Sequence, residues 1–150
     1  MKDIYVKDII REKGAKVWTI SSDATAFEAL EKMADKNIGA VVVIEGEDRV
    51  VGIMSERDYA RKVILRGKVS KEIPVSEIMT ADVLCVTMDN SLDDCMQLFT
   101  NKRIRHLPVV EDGRLLGIVS IGDVVHKIIE EQQAALADLE NFITGAGYGA

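Results

Sequence analysis

The sequence predicts a mixed α/β (α+β) fold built from two tandem copies of one unit, each in the order strand, helix, strand, strand, helix. The first indication is an internal repeat: the heptad Gly-Ile-Met-Ser-Glu-Arg-Asp at 52–58 returns about 65 residues later as Gly-Ile-Val-Ser-Ile-Gly-Asp at 117–123. The second is that the hydrophobic pattern around both heptads aligns with a single gap near Glu47. The third is composition, since 150 residues with 47% hydrophobic side chains can build one compact domain or two small halves that share a core.

The first half of copy one predicts a strand followed by an amphipathic helix. Residues 17–20 are β-prone, and Thr25 with Glu28 forms a capping box before a helix that is expected to end near Asn37. The only tryptophan, Trp18, lies on this strand and is expected to face the core.

The second half of copy one predicts a β-hairpin and a second helix. Two β-branched runs, at 40–44 and 49–54, are joined by the turn-rich segment 45–48. The second helix is expected to start at Ser55, inside the heptad. Copy two repeats this order, with a strand at 83–86, a helix at 91–102, strands at 107–110 and 114–119, and a helix from Ser120.

The repeats set the predicted boundaries. Copy one is placed at 6–67 and copy two at 75–130, with a polar linker at 68–74 that ends in Pro74. Each copy is expected to begin with a short helical piece, at 6–10 and 76–79. Residues 131–150 are expected to extend the last helix, without Pro or Gly to about Asn141, and to finish in a tail too flexible to pack.

Charge and hydropathy argue against several classes of function. A net charge of −6 disfavours general nucleic-acid binding, and no apolar run approaches the roughly 20 residues that a membrane span requires. The start of the chain lacks an apolar signal region, so a soluble, cytoplasmic protein is expected. The sequence has two histidines, and its cysteines, Cys85 and Cys95, lack the spacing of a metal site, so no metal site is predicted. It contains neither a nucleophile triad nor a phosphate-binding loop, so an enzyme is not indicated.

The two heptads, together with two matching segments, carry a family resemblance. Arg105-His106-Leu107-Pro108-Val109-Val110 in copy two stands at the place of Asn37-Ile38-Gly39-Ala40-Val41-Val42-Val43 in copy one. Over about residues 6–130 the chain resembles the tandem cystathionine-β-synthase (CBS) domain pair, or Bateman module.

This resemblance implies two CBS repeats packed with pseudo-two-fold symmetry around two clefts that hold adenosine-containing nucleotides. AMP is the first candidate ligand, with ATP, ADP, NAD and S-adenosylmethionine as alternatives. It also implies ligand sensing and signal transduction by a stand-alone module, a homodimer, and an effector protein that the sequence does not identify.

Both heptads place nucleotide-binding chemistry at the start of a helix. Asp58 and Asp123 are carboxylates suited to the two ribose hydroxyls, while the Ser55 and Ser120 hydroxyls, beside free backbone N–H groups, suit a phosphate. The two sites differ because Arg57 in copy one corresponds to Gly122 in copy two. Copy one is therefore expected to hold phosphate more strongly.

Further contacts are expected beside the heptads. Arg105 and His106 suit a second phosphate contact, whereas their equivalents Gly39 and Ala40 offer only backbone and space. In the family pattern the base contacts the first strand of each repeat and the start of the second. Those residues are Val17, Thr19, Ile38, Ala40 and Val42 in one cleft, and Val83, Cys85, Ile104, Leu107 and Pro108 in the other.

Three plainer interpretations remain open. The Ser-x-x-Asp motif is also an ordinary capping box, which a duplicated fold would duplicate without any ligand. Arg105 and His106 are compatible with a surface arginine and a strand-end histidine. The chain as a whole is then a structural or protein-interaction module with empty clefts, or a redox or metal sensor that uses Cys85 and Cys95.

Overall fold

The computed structural model describes residues 3–14 and 16–144 and confirms the mixed α/β fold. Within these residues one five-stranded sheet has the strand order β1-β2-β3-β5-β4. The strands are β1 Thr19–Ser21, β2 Ala40–Glu45, β3 Arg49–Ser55, β4 His106–Glu111 and β5 Arg114–Ser120. The helices are α1 Val6–Lys13, α2 Ala26–Lys36, α3 Glu56–Tyr59, α4 Val75–Ile78, α5 Leu92–Lys102 and α6 Ile121–Thr144.

The two copies form matching hairpins. Strands β2 and β3 pair antiparallel, as do β4 and β5, and the register shifts at Val43/Ile44 in one hairpin and at Val109/Val110 in the other. The sheet is continuous between the copies only where Arg49 of β3 pairs with Arg114 of β5. Backbone pairing between the halves is therefore confined to this one bridge.

The predicted first strands are the least accurate elements. In copy one the strand begins at Thr19, so Trp18 lies before it, half-buried, with the ammonium groups of Lys16 and Lys36 at 4.6 and 4.4 Å from its ring. The predicted core position of Trp18 is wrong, because two lysine ammonium groups lie over its ring. In copy two only Val86 pairs with the sheet, as a bridge to Val109.

The predicted helices occur in the predicted order, with two changes. The helix after Ser55 is short, because α3 passes directly into a π-helical turn at Ala60–Ile64. The last helix is longer than expected and reaches Thr144. The predicted flexible tail lies outside the described residues. No helix among the residues described is long and apolar enough to cross a membrane.

The two short helices are exchanged between the copies. The pattern predicts that each copy begins with its own helical piece, but Val75 and Ile78 of α4 pack into the core of copy one, while Val6, Ile9 and Ile10 of α1 pack into the core of copy two. The predicted pieces thus exist, yet each packs on the half opposite to the copy that it was predicted to begin.

Glycines allow this exchange. A Cβ atom on Gly117 would lie 2.8 Å from Cδ1 of Ile10, and one on Gly52 would lie 2.9 Å from Cγ of Met79. The heptad glycines therefore leave room for the exchanged helices. Their small size explains why both copies carry glycine there.

Candidate functional site

The largest cleft that combines predicted site residues lies where the two halves meet. It has a volume of about 620 Å³ and is called the first cleft. Copy one contributes the end of β3 and the start of α3, and copy two contributes the segment that leads into β4. Its lining residues are Gly39, Ala40, Ile53, Ser55, Glu56, Arg57, Asp58, Arg61, Thr80, Arg103, Ile104, Arg105 and His106.

Asp58 is held in place by a capping box. Its Oδ2 accepts from the Ser55 backbone N–H at 2.9 Å, and the Ser55 hydroxyl accepts from the Asp58 N–H at 3.1 Å. The other oxygen, Oδ1, lies 3.6 Å from Nζ of Lys62, whose ammonium donates instead to the Ile78 carbonyl at 3.0 Å. The carboxylate therefore has one oxygen engaged in the cap and one that faces a single distant cation.

The predicted free N–H groups at the heptad helices are largely occupied, which corrects the expected anion site. In copy one the Glu56 N–H donates to Gly39 at 3.0 Å, and the Asp58 N–H is used by Ser55. In copy two the Ile121 N–H donates to Arg105 at 2.9 Å, and the Asp123 N–H donates to the Ser120 hydroxyl at 3.0 Å. These donors are satisfied within the fold and are not free to bind an anion.

Arginines supply the positive charge of the first cleft. Of the four in its lining, Arg57 and Arg105 are expected from the sequence, whereas Arg61 and Arg103 are not. Arg61 lies one helical turn after Asp58 and could have been found from that spacing. Arg103 could not, because its approach to copy one depends on the packing of the two halves. Glu56 and Asp58 oppose the four charges only in part.

The corresponding site in copy two is small and is called the second cleft. It has a volume of about 180 Å³ and surrounds Asp123. Lys13, at the end of α1, donates to Oδ2 of Asp123 at 2.5 Å and to the Ile118 carbonyl at 3.0 Å. The side chains that line it are Ile9, Glu12, Lys13, Asp123, His126 and Lys127. The ammonium of Lys13 thus takes the hydrogen-bonding position that a ribose hydroxyl would need.

The Lys13 contact changes the titration of Asp123. Burial by itself would raise the pKa of this carboxyl, but hydrogen bonds from Lys13 and from the Ser120 N–H outweigh it and hold the pKa below its ordinary value. Asp123 is therefore a carboxylate that is already paired.

His106 lies on the edge of the first cleft but close to the charges of the second. Burial lowers its pKa, and the nearby positive charge of Lys13 lowers it further, against a smaller opposing effect of Asp123. The imidazole is therefore neutral near pH 7, and the histidine does not supply the phosphate-binding charge that the sequence suggests unless an anion approaches.

The predicted base-contacting residues divide into three groups. Ala40 and Ile104 line the first cleft together, although the sequence placed them in different clefts. Three side chains are buried: Leu107 packs in the core of copy two, whereas Val42 and Pro108 lie on the same strand faces as Ala40 and His106, which line the first cleft. The remaining positions line neither cleft: Ile38 packs against the core of copy one, Thr19 pairs with Val42, Val17 and Val83 are half-buried, and Cys85 is exposed.

The cysteines do not form a site together. Cys95 is buried, and burial together with the charge of Asp94 raises the pKa of its thiol to about 11. Partial burial also raises the pKa of the exposed Cys85 thiol. Both groups are protonated at neutral pH, which weighs against the redox-sensor interpretation. Within the described residues, no cluster of His, Cys, Asp and Glu could hold a metal ion.

Comparison with known proteins settles the family. The family model described as the CBS domain matches the chain twice, at residues 3–65 and 75–130. The chain belongs to the CBS-domain family. The expected resemblance is confirmed over both copies, and CBS-domain pairs are generally regulatory or signal-transduction modules.

Three relatives show how far the similarity extends. The CBS domain-containing protein CBSX3, a mitochondrial protein of Arabidopsis thaliana, is 39% identical over 95% of this chain and 73% of its own length. A CBS-domain-containing protein from Agrobacterium tumefaciens is 40% identical, covers 83% of this chain and 98% of its own, and superposes with a TM-score of 0.77. The hexameric CBS-CP12 protein from bloom-forming cyanobacteria is 28% identical, with 99% and 92% covered and a TM-score of 0.73.

Proposed function

We propose that this CBS-domain pair is a regulatory module that binds one adenosine-containing nucleotide, in the first cleft. The observation that carries the proposal is the convergence of the Asp58 carboxylate with four arginines from both halves in a cleft of about 620 Å³. This volume is within the roughly 300 to 1,000 Å³ of typical small-molecule sites, whereas the 180 Å³ of the second cleft is below it.

Asp58 would hold the ribose. The capping box fixes the rotamer of the side chain, and only 18% of it is exposed, so the carboxylate is ordered before a ligand arrives. Its Oδ1 retains capacity to accept hydrogen bonds, which the 2′ and 3′ hydroxyls of a ribose would donate.

The arginines would hold the phosphate. Arg57 and Arg61 lie on the same side as Asp58, and Arg103 and Arg105 come from the other half. Guanidinium groups bind phosphate oxygens through paired, charge-assisted hydrogen bonds. AMP remains the first candidate, with ADP, ATP and NAD as alternatives that carry phosphate, whereas S-adenosylmethionine has no phosphate and could use only the ribose contact.

Binding would be converted into a signal through the packing of the two halves. The sheet joins them only at Arg49 and Arg114, so their relative position depends on few contacts. A ligand held by both halves favours the arrangement that brings them together, by no more than its difference in affinity for the two arrangements. A homodimer would present this change to an effector protein.

Thermal unfolding of the purified protein against AMP, ADP, ATP, NAD, S-adenosylmethionine and GMP as guanine control tests the proposal. A ligand at about one hundred times its dissociation constant is expected to add about 2.7 kcal/mol to the free energy of unfolding. A rise with one adenosine compound and none with GMP supports the site. A flat panel, for protein shown by mass to be ligand-free, contradicts it.

The alternative is a structural or protein-interaction module with empty clefts. The capping boxes favour it, because Ser55 and Asp58 already satisfy each other without a ligand. A flat nucleotide panel is its expected result.

A further inference from the structure

The end of α6 is exposed along its whole length in the described chain. Every residue from 132 to 144 is exposed, including the apolar side chains Leu136, Leu139, Phe142 and Ile143 at 52–69%. A helix of roughly this length is marginal in water on its own, and most helices gain their stability from packing of an apolar face. This segment therefore needs a partner.

The apolar side chains of α6 follow a heptad pattern. Six positions along one face alternate between spacings of four and three residues, which is the 3.5-residue period of a coiled coil. This face, called the α6 seam, starts on the body of the protein and continues onto the projecting segment. Its positions are Val125, Ile129, Gln132, Leu136, Leu139 and Ile143.

Charge placement permits a second copy of the same helix as the partner. Three of the acidic side chains, Glu130, Glu131 and Asp138, occupy heptad positions that point away from the seam, and Glu131 lies 3.6 Å from Lys127 of its own helix. Only Glu140 flanks the seam on the projecting segment. In a parallel pair the residue that faces it on the other copy is Ala135, so two helices can meet without facing like charges.

The polar layer at Gln132 identifies the partner and the direction. An amide group carries both donors and acceptors, so two Gln132 side chains at the same level satisfy each other. An antiparallel pair that places an apolar side chain opposite Gln132, or an apolar groove of another protein, would leave the amide without a partner, at a cost of about 1 to 3 kcal/mol for a buried group.

We infer that two copies of this chain associate through a parallel coiled coil along the α6 seam, with register set by Gln132. The inference gives the homodimer of the proposed function a specific interface. It does not depend on nucleotide binding, because the projecting segment contributes nothing to the first cleft.

The test is the mass of the full chain in solution, by light scattering and sedimentation equilibrium, for three proteins. The wild type is expected to be a dimer. The L136E/L139E variant is expected to dissociate at least about a hundredfold more readily, equivalent to about 2.8 kcal/mol. The control A134E/A137E adds the same charge outside the seam and should remain dimeric. Thermal unfolding at monomeric concentration checks that the body of each variant is folded.

A disulfide tests the direction. In a Cys85→Ser background, Gln132→Cys and Leu139→Cys should each form an interchain disulfide under mild oxidation, because only a parallel pair brings both positions to their own copies, and Ala134→Cys should not. A monomeric wild type, a dimer unaffected by L136E/L139E, or a dimer in which Gln132→Cys does not cross-link overturns the inference. The nucleotide panel applied to L136E/L139E separates this result from a failure of the proposed site.

Discussion

The two clefts use the same motif but differ in what reaches its aspartate. Near Asp58, the ammonium of Lys62 donates to a backbone carbonyl and lies 3.6 Å from Oδ1 of the carboxylate. Around Asp123 a lysine from α1 is in direct contact at 2.5 Å. The clefts measure about 620 and 180 Å³. The caps were duplicated with the fold, whereas the capacity to bind a ligand depends on residues outside the motif.

The exchanged helices explain this difference. Helix α1 has eight residues and carries Lys13 in its last turn, while α4 has four and ends at Ile78. The longer helix brings a cation to Asp123. The shorter one lets the chain turn away, so that Thr80 lines the first cleft. The difference in helix length therefore leaves the first cleft open and the second cleft closed.

Alanine at the two aspartates gives the largest expected contrast. Asp58→Ala should weaken binding of the nucleotide found in the panel by about one to two orders of magnitude, because a charged hydrogen-bond partner worth roughly 1.5 to 3 kcal/mol is lost. Asp123→Ala should leave binding unchanged. Both variants lose a cap worth about 1 kcal/mol, so calorimetric titration isolates the ribose contact. Equal affinities for the two variants would remove Asp58 from the site.

Alanine at Gly52 and at Gly117, the glycines next to the exchanged helices, should lower the free energy of unfolding to different extents. A methyl group at Gly52 would lie 2.9 Å from Cγ of Met79 and 3.1 Å from the Thr80 backbone oxygen, whereas at Gly117 it would meet chiefly the end of the Ile10 side chain. Gly52→Ala should therefore lower the free energy of unfolding by about 1 to 3 kcal/mol. Gly117→Ala should cost less, as measured by urea unfolding. The reverse order would place the tighter contact in copy two.

Removal of the Lys13 ammonium should make the clefts more alike. In Lys13→Met, Asp123 loses its ion pair and becomes able to accept hydrogen bonds from a ligand. The number of nucleotides bound per chain, measured by equilibrium dialysis, should rise from one to two if the Lys13 cation, and not the cleft volume of about 180 Å³, is what prevents binding. Lys7→Met on the same helix is the control and should bind one. A value of one for both variants would mean that other residues close the second cleft.

The same variant has a defined pH dependence. The pKa of Asp123 is lowered in the folded state, so the pair with Lys13 stabilises the fold above the ordinary aspartate pKa of about 3.9. That contribution is lost as pH falls through the lowered pKa. The stability difference between wild type and Lys13→Met should accordingly shrink in acid, as measured by urea unfolding. A difference that persists at the lowest pH would not come from this carboxylate.

His106 should report the smallest effect. Burial lowers its pKa, so the unfolded chain takes up the proton first and the fold loses stability as pH falls below about 6.5. A phosphate bound near Arg105 should raise the pKa again by adding negative charge. Nuclear magnetic resonance titration of the imidazole, assigned with His126→Gln, measures both. A pKa that does not respond to the nucleotide would place the phosphate elsewhere.

Local patterns predicted most of the fold because they depend on neighbours in sequence. Thr25 and Ser55 each cap a helix as the sequence indicates, and both hairpins form in the predicted places. The first strands were harder to predict. In copy two β-propensity at 83–86 was not enough, because only Val86 reaches a partner strand.

The candidate site was predictable only in part, because the packing that exposes or buries a side chain is not set by its neighbours in sequence. Asp58, Arg57 and Arg105 carry a recognisable motif, and all three line the first cleft. Val42, Leu107 and Pro108 belong to the family pattern as well, but Leu107 packs in the core of copy two, while Val42 and Pro108 lie on the strand faces of Ala40 and His106. Strand alternation permits either face, and the packing of each half selects one.

The sequence by itself determined the duplication, the caps, the hairpins and the family, since each is written in residue types at short or repeated spacings. Tertiary structure alone decided that α1 and α4 exchange halves, that Arg103 lines the same cleft as Asp58, and that Lys13 closes the second cleft. Those contacts join residues distant in the chain, up to 110 positions apart for Lys13 and Asp123. They are set by the way the two halves pack, which no local pattern encodes.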